Sequence, residues 1–345
     1  MTTGVIEVGE VTDGDGPELD GLVAVWRAVD AVDEPDDPPI PAEELRGDLF
    51  ATPGFRRRLV WLATVDGAPA GLAHTDQHLD GVNDANVEIY CIVDPAFRRR
   101  GVARALVSTA LVRIVAAGAT TLIGWPLDDA GAALCAALGL TRRSEDRCSR
   151  VRVENIDPAE QRRWIDAAPA RAAGYRLVGW VGRSPDELAA PLADAMSAMV
   201  DAPLDDIDWQ PQVLDPAEQS ERERWLDASG FDVVTTLALA VDGSAAGLSQ
   251  LVVSRLRPAL ARQGDTGVVA AHRGHGLGRW LKAENLRRAL AHQPGIEVIE
   301  TFNAESNPHM LAINVEMGFR PHRTFWTWQG PVAAAAAFLG LDLPG

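Results

Sequence analysis

RRRGVA, residues Arg98 to Ala103, returns as RGHGLG at Arg273 to Gly278. Each copy stands between a run that reads as a strand and a run with helical periodicity, so each is a strand-to-helix loop. After the first, Ala103, Leu106, Val107, Ala110, Leu111 and Ile114 recur at helical spacing and define one buried face. A helix start leaves N–H groups unpaired and carries the positive end of the dipole, which suits a phosphate. Small residues at Gly101, Ala103, Gly276 and Gly278 allow close backbone approach, and Val102 and Leu277 open the two helices. Arg98, Arg99 and Arg100, and Arg273, His275 and Lys282 with Gly274 between them, make basic islands around the loops. Neither loop has the Gly-Lys-Ser/Thr of a Walker sequence, and the third glycine of Gly274-x-Gly276-x-Gly278 comes one residue early for a dinucleotide fingerprint.

The loops are part of a longer repeat. VDGAPAGLA (Val65 to Ala73) reappears as VDGSAAGLS (Val241 to Ser249), Gly54-Phe55 as Gly230-Phe231, and Leu138-Gly139-Leu140 as Met317-Gly318-Phe319, in one order. This collinearity predicts a duplicated domain. The first copy reads as strand, two helices, a hairpin turning at Asp66-Gly67, a strand Val87 to Val93, the loop and its helix, and a further strand, helix and strand. Such an order implies a mixed α/β sheet with helices on both faces. Asp157-Pro158-Ala159-Glu160 reads as a helix start. The expected organisation is an N-terminal domain over 1–154, a linker helix over 155–173 and a C-terminal domain over 174–345.

Composition narrows the function. The 345 residues carry 49 acids against 32 bases, a net charge of -17, so no extended nucleic-acid surface is expected. Three cysteines (Cys91, Cys135, Cys148) without paired spacing predict free thiols. Neither a secretory leader nor a membrane-spanning run is visible, and a cytoplasmic protein is expected. His74-x-Asp76-x-His78 lies on one strand face but lacks a fourth ligand, so no metal is expected.

The pattern Arg-x-x-Gly-x-Gly/Ala, preceded by Val93 or by Val268 and Val269, resembles the signature of the GNAT superfamily of acyl-CoA-dependent N-acetyltransferases. The later run Asn307-x-x-Met310-x-x-x-Asn314-x-x-x-Gly318-Phe319 looks like its second motif. The resemblance implies two tandem GNAT-like domains covering nearly the whole chain, with acetyl-CoA as the acyl donor and no metal. It further implies that the pantetheine arm lies between two splayed strands, near Cys91 to Val93 or Thr266 to Val269. Its pyrophosphate would rest on the Arg/Gly loop. The acceptor would be the primary amine of a small molecule, which attacks the thioester directly.

The departures from that pattern shape the expected chemistry. The family's usual acid is a Tyr seven residues after the motif Asn, where this chain has Asn314 in copy two and Cys135 in copy one. Copy one also has Asp128 in place of Asn307. Catalysis is therefore expected in copy two, with Asn303 and Asn314 near the thioester, and copy one is expected to be degenerate. Glu88 is the base candidate in copy one. Its counterpart in copy two is Gln263, so Asp265 is the candidate there, provided the strand is unbulged. The different-class alternative is a non-catalytic acyl-CoA-binding regulatory or scaffold protein.

Overall fold

The computed structural model describes residues 4–342, apart from 202 and 214. The chain forms two compact α/β units that are not contiguous in sequence. The first comprises the chain up to Ser144, Asp206–Gln210 and the segment from Phe325 onward. The second comprises Glu145–Asp205 and Pro211–Thr324.

In unit 1 the elements are β1 (Ile6–Val11), α1 (Gly16–Asp33), α2 (Ala42–Phe50), β2 (Arg56–Val65), β3 (Ala68–His78), β4 (Asn86–Val93), α3 (Val102–Ala116), β5 (Thr121–Gly124) and α4 (Asp129–Ala137). β6 (Thr141–Arg152) leaves this unit and enters the second. Unit 2 continues with α5 (Pro158–Arg171), β7 (Tyr175–Val181), α6 (Asp186–Met196), α7 (Pro216–Ala228), β8 (Phe231–Ala240), β9 (Ala245–Ser254), β10 (Leu260–Val268), α8 (Leu277–His292), β11 (Val298–Ala304) and α9 (Pro308–Glu316). β12 (Arg320–Pro331) then carries the chain back, and α10 (Val332–Leu339) ends in unit 1.

The sheet of unit 1 runs β1-β2-β3-β4-β5-β12, antiparallel except for β4 beside β5. That of unit 2 runs β7-β8-β9-β10-β11-β6, antiparallel except for β10 beside β11. The final strand of each sequence copy therefore completes the sheet of the other unit. Trp328 pairs with Gly124 in unit 1, and Val151 pairs with Ile299 in unit 2. The predicted linker helix, α5, packs on α8 inside unit 2 and buries Trp164 there.

The helix after each Arg/Gly loop is the spine of its unit. α3 buries Val102, Leu106, Val107, Ala110, Leu111 and Ile114 against β3 and β4, and this face starts at Val102 rather than Ala103. The repeated AGL tripeptide explains the close packing. A Cβ on Gly71 would lie 2.7 Å from Val102 Cγ1, and one on Gly247 would lie 2.5 Å from the Gly267 carbonyl oxygen. Only glycine admits the neighbouring element at that distance.

Candidate acyl-CoA and acceptor sites

Both units contain a fork between their parallel strands. β4 pairs with β5 from Asn86↔Thr121 to Ile89↔Gly124, where β5 ends, while β4 stays paired with β3 as far as Val93. The backbone of Tyr90 to Val93 thus has a ladder on one side and a gap on the other. β10 pairs with β11 only from Leu260↔Val298 to Arg262↔Glu300, yet continues to Val268. Such a gap suits the amides of an extended pantetheine arm. Val269 has both main-chain groups committed, its N–H to the Ala246 carbonyl at 3.0 Å and its carbonyl to the His272 N–H at 2.8 Å, so the expected pantetheine contact at Val269 is not free in this geometry.

Beyond each fork the chain takes one short turn (Pro95–Phe97 or Ala270–His272) and enters the Arg/Gly loop. Arg99 and Gly101, and equally Gly274 and Gly276, adopt positive φ of 64°, 93°, 87° and 74°. Alternating left-handed residues before a helix start turn successive N–H groups toward one point, a cradle for an anion. The local geometry fits a CoA pyrophosphate in both units.

Three basic residues expected at that phosphate serve elsewhere. Arg98 Nε donates to the Val93 carbonyl at 3.2 Å, and its guanidinium lies between Asp33 and Asp128 at 3.7 and 3.9 Å. Arg273 repeats the device, donating to the Val268 carbonyl at 3.1 Å and to Asp201 at 2.6 Å. These two arginines brace the loops. Lys282 is 2% exposed; it donates to Asn314 Oδ1 at 2.8 Å, and burial lowers its pKa to about 7. It replaces the core valine Val107 of copy one, so it turns into the core rather than back toward the loop. Arg100 stacks over Phe97, and Arg99 and His275 remain at their loops, His275 with its ring 5.5 Å from Tyr175. The Cα of Gly278 faces Ile313, where an added Cβ would meet Cδ1 at an ordinary 3.6 Å.

The second-motif residues of unit 2 are hydrogen-bonded within the unit. Asn307 caps α9 by accepting from the Met310 N–H at 3.2 Å, and Asp128 caps α4 in the same way through Gly131 at 2.7 Å. The Asp for Asn exchange is thus between two good caps. Asn314 donates to Asn303 Oδ1 at 2.6 Å, forming a chain from Lys282 through Asn314 to Asn303.

The two acid candidates part company. In β10 the register shifts between Gln263 and Thr266, so the alternation that would place Asp265 on the face of Gln263 fails. Asp265 instead pairs with Arg222 of α7 at 3.3 Å. Gln263 and Gln250 hold neutral hydrogen bonds with Ser249, Thr266 and Thr235. Unit 1 has no such shift in β4, and Asp76 and Glu88 stand directly opposite each other. Asp76 is buried, which pushes its pKa up, but the hydrogen bond from His74 at 3.1 Å and the Arg58 guanidinium at 2.9 Å outweigh that and hold it at about 2. With both oxygens so engaged, Asp76 is an ion-pair anchor rather than the centre of a metal site. Glu88 gains no such partner. Burial, with the Asp76 charge adding to it against Arg56 and Arg58, raises Glu88 to about 7.

An aromatic row adjoins this pair. The His74 and Tyr90 rings stack at 4.5 Å, Tyr90 and Trp125 at 5.0 Å, and Trp125 Nε1 donates to Thr327 at 3.0 Å. On the opposite face of β4, Cys91 points toward Cys135 of α4, whose Sγ lies 3.6 Å from where a Cβ on Gly124 would be. Burial pushes these thiols up to about 12 and about 11, so both stay protonated at neutral pH. The row and the thiols were legible in sequence only as scattered residues. Strand parity on β3 and β4 is the signal that unites His74, Asp76, Glu88 and Tyr90.

The Acetyltransferase (GNAT) family model matches residues 26–139, all within unit 1. The chain is 30% identical over 309 residues to the mycothiol acetyltransferase of Salinispora tropica, spanning 88% of this chain and 90% of that one. It is also 30% identical over 262 residues to the enzyme of that name from Clavibacter michiganensis, 74% of each chain. The chain belongs to the GNAT acetyltransferase family. Among solved structures, a tandem GNAT protein from the clavulanic acid biosynthesis pathway superposes with a TM-score of 0.78 at 26% identity, covering 95% of this chain and 99% of that one. A GCN5-related N-acetyltransferase from Sphaerobacter thermophilus shares the fold at a TM-score of 0.67 and 16% identity. This GNAT protein is an acetyl-CoA-dependent N-acetyltransferase with a tandem, mixed α/β architecture. Among its described residues no helix is long and apolar enough to cross a membrane.

Proposed function

We propose that this GNAT enzyme acetylates the primary amine of a small molecule, and that transfer takes place in unit 1 with Glu88 as the base. The carrying observation is the Asp76–Glu88 pair, in which one carboxylate is held ionised and its neighbour is raised to about 7. Environments that drive two acids apart mark an acid–base site. The relatives named mycothiol acetyltransferase support a small-molecule acceptor. This reading reverses the expectation that copy two is catalytic, because the bulge in β10 removes Asp265 from the face where a base is needed.

Alternation along β4 gives the two faces of the fork different work. Glu88 and Tyr90 face the acceptor side and Cys91 the opposite side, with Cys135. Glu88 takes a proton from the ammonium, and the free amine forms the new N–C bond as the C–S bond breaks. Backbone N–H groups of Tyr90 to Val93 steady the oxygen on which charge develops. The Cys135 thiol, protonated at neutral pH, gives its proton to the departing thiolate, and solvent restores it. Unit 2 keeps the fork and the phosphate loop but presents neutral amides in place of the acids, which favours acyl-CoA binding without turnover there.

Glu88→Gln separates these roles. Turnover, read as CoA release, is expected to fall at least about 100-fold, whereas Asp265→Asn stays within about twofold of wild type. The wild-type rate should rise with pH through about 7 as Glu88 ionises, and this limb should vanish in the variant. An acid raised above its unfolded pKa weakens the fold as pH rises through that window, so Glu88→Gln should also stabilise unit 1 at pH 8 by on the order of 1–2 kcal/mol. Full activity in Glu88→Gln with loss in Asp265→Asn would reverse the assignment.

A further inference from the structure

Residues Asp206–Gln210 are flanked on both sides by chain belonging to unit 2, yet they are part of unit 1. Their backbone is tied down by side chains from three places. Asn83, 1% exposed, donates to the Gln210 carbonyl at 2.9 Å and accepts from the Gln210 N–H at 3.0 Å. Gln329 of β12 accepts from the Asp208 N–H at 2.8 Å and donates to the Asp208 carbonyl at 2.9 Å. Asn86 reaches the same carbonyl at 3.4 Å, and the Asp206 N–H meets the Arg143 carbonyl at 3.3 Å. All of these bonds hold the main chain of the strap and so fix where Trp209 stands.

The strap delivers Trp209 edge-on to His78, with ring centroids 4.7 Å apart. His78 stands two residues beyond Asp76 on the same face of β3, and Asn86 stands two residues before Glu88 on β4. From Asn86 to Tyr90 this face spans about four residue steps, about 13 Å at the rise of a strand. Its inner end is the fork, with Glu88 and the His74–Tyr90–Trp125 row; at its outer end Trp209 stands against His78. The carboxylates of Asp206 and Asp208 are exposed beside it. One of the chain's two tyrosines and two of its ten tryptophans therefore gather along a single strand face, with two histidines.

Rings of this kind offer flat apolar faces and attract cations over them. We propose that Trp209 is a specificity-determining residue of the unit 1 acceptor cleft, selecting primary amines whose carbon skeleton is a ring of a size to lie between the strap and the fork. The proposal rests on unit 1 as the site of transfer. A linear alkylamine reaches Glu88 without spanning to Trp209, and so gains nothing from it.

The test compares tyramine and glucosamine with n-butylamine as acceptors, reading CoA release from acetyl-CoA by the full chain. Wild type should show the higher kcat/KM on at least one ring amine. Trp209→Ala should raise KM for that amine about tenfold with kcat within threefold, leave n-butylamine within twofold, and leave KM for acetyl-CoA unchanged. Trp209→Phe should recover most of the loss, since a ring is restored. Equal losses on ring and linear amines, or no preference for a ring amine in wild type, overturns the proposal. Asn83→Ala, which frees the strap without touching Trp209, should reproduce the selective loss; an unselective loss counts against it. Glu88→Gln is run in parallel. Normal rates there, with a selective Trp209→Ala defect, would refute the base and keep the specificity wall.

Discussion

Lys282, the only lysine in the chain, shows how far one residue's surroundings can override its type. Four residues after Gly278, it invites a reading as a phosphate ligand, but it lies where copy one buries Val107. Its ammonium donates to a neutral amide, Asn314, and Phe319 lies 5.7 Å from Nζ. A buried ammonium without a counter-charge is costly, and the folded pKa is lowered to about 7. A lysine lowered in this way binds fewer protons folded than unfolded between about pH 7 and its ordinary value. Stability should therefore rise with pH across that window, and the full penalty applies below it. Lys282→Met is accordingly expected to stabilise unit 2 by about 1–3 kcal/mol at pH 6 and by less at pH 10. Thermal melts at the two pH values check both sign and trend. Glu88 is the mirror case, an acid raised by burial.

The strand-to-helix loop is the element on which both units depend, and its sequence was easily read. Positive φ at alternate residues explains Gly101 and Gly276, and the same conformation at Arg99 and Gly274 shows that a glycine is preferred there without being required. A valine at Gly101 or Gly276 must accept a left-handed backbone and places a branched side chain over the converging N–H groups. Calorimetry with acetyl-CoA should find two sites in the wild type and one in each valine variant. Only Gly101→Val should also lose turnover. The neighbouring β10 shows why strand reading was less secure. A bulge is a choice made by pairing across a ladder, and the shift between Gln263 and Thr266 altered which acid shared a face with which amide.

Across the molecule, the sequence repeat and the compact units do not share boundaries. β12 supplies the strand next to β5, and Val332, Ala335 and Ala336 of α10 enter the core of unit 1, about 200 residues after most of that core. Truncation after Phe319 should accordingly destroy unit 1, including Glu88-dependent turnover, although the deleted residues lie in copy two. Loss of the cooperative melt assigned to unit 1, with CoA release at background, is the expected result. The fragment 1–154 should likewise fail to fold, since it lacks the Trp328 strand, α10 and the strap.

Period-two and helical patterning, turn glycines and the order of repeats are local properties, and from them followed the tandem domains, the mixed sheet, the Arg/Gly loops and the family resemblance. The pairing of Asp76 with Glu88, the turning of Lys282 into the core, the exchange of β6 and β12 and the arrival of Trp209 over His78 all bring together residues distant along the chain. Such contacts depend on register, burial and long-range closure. None of these is written in the spacing of neighbouring residues.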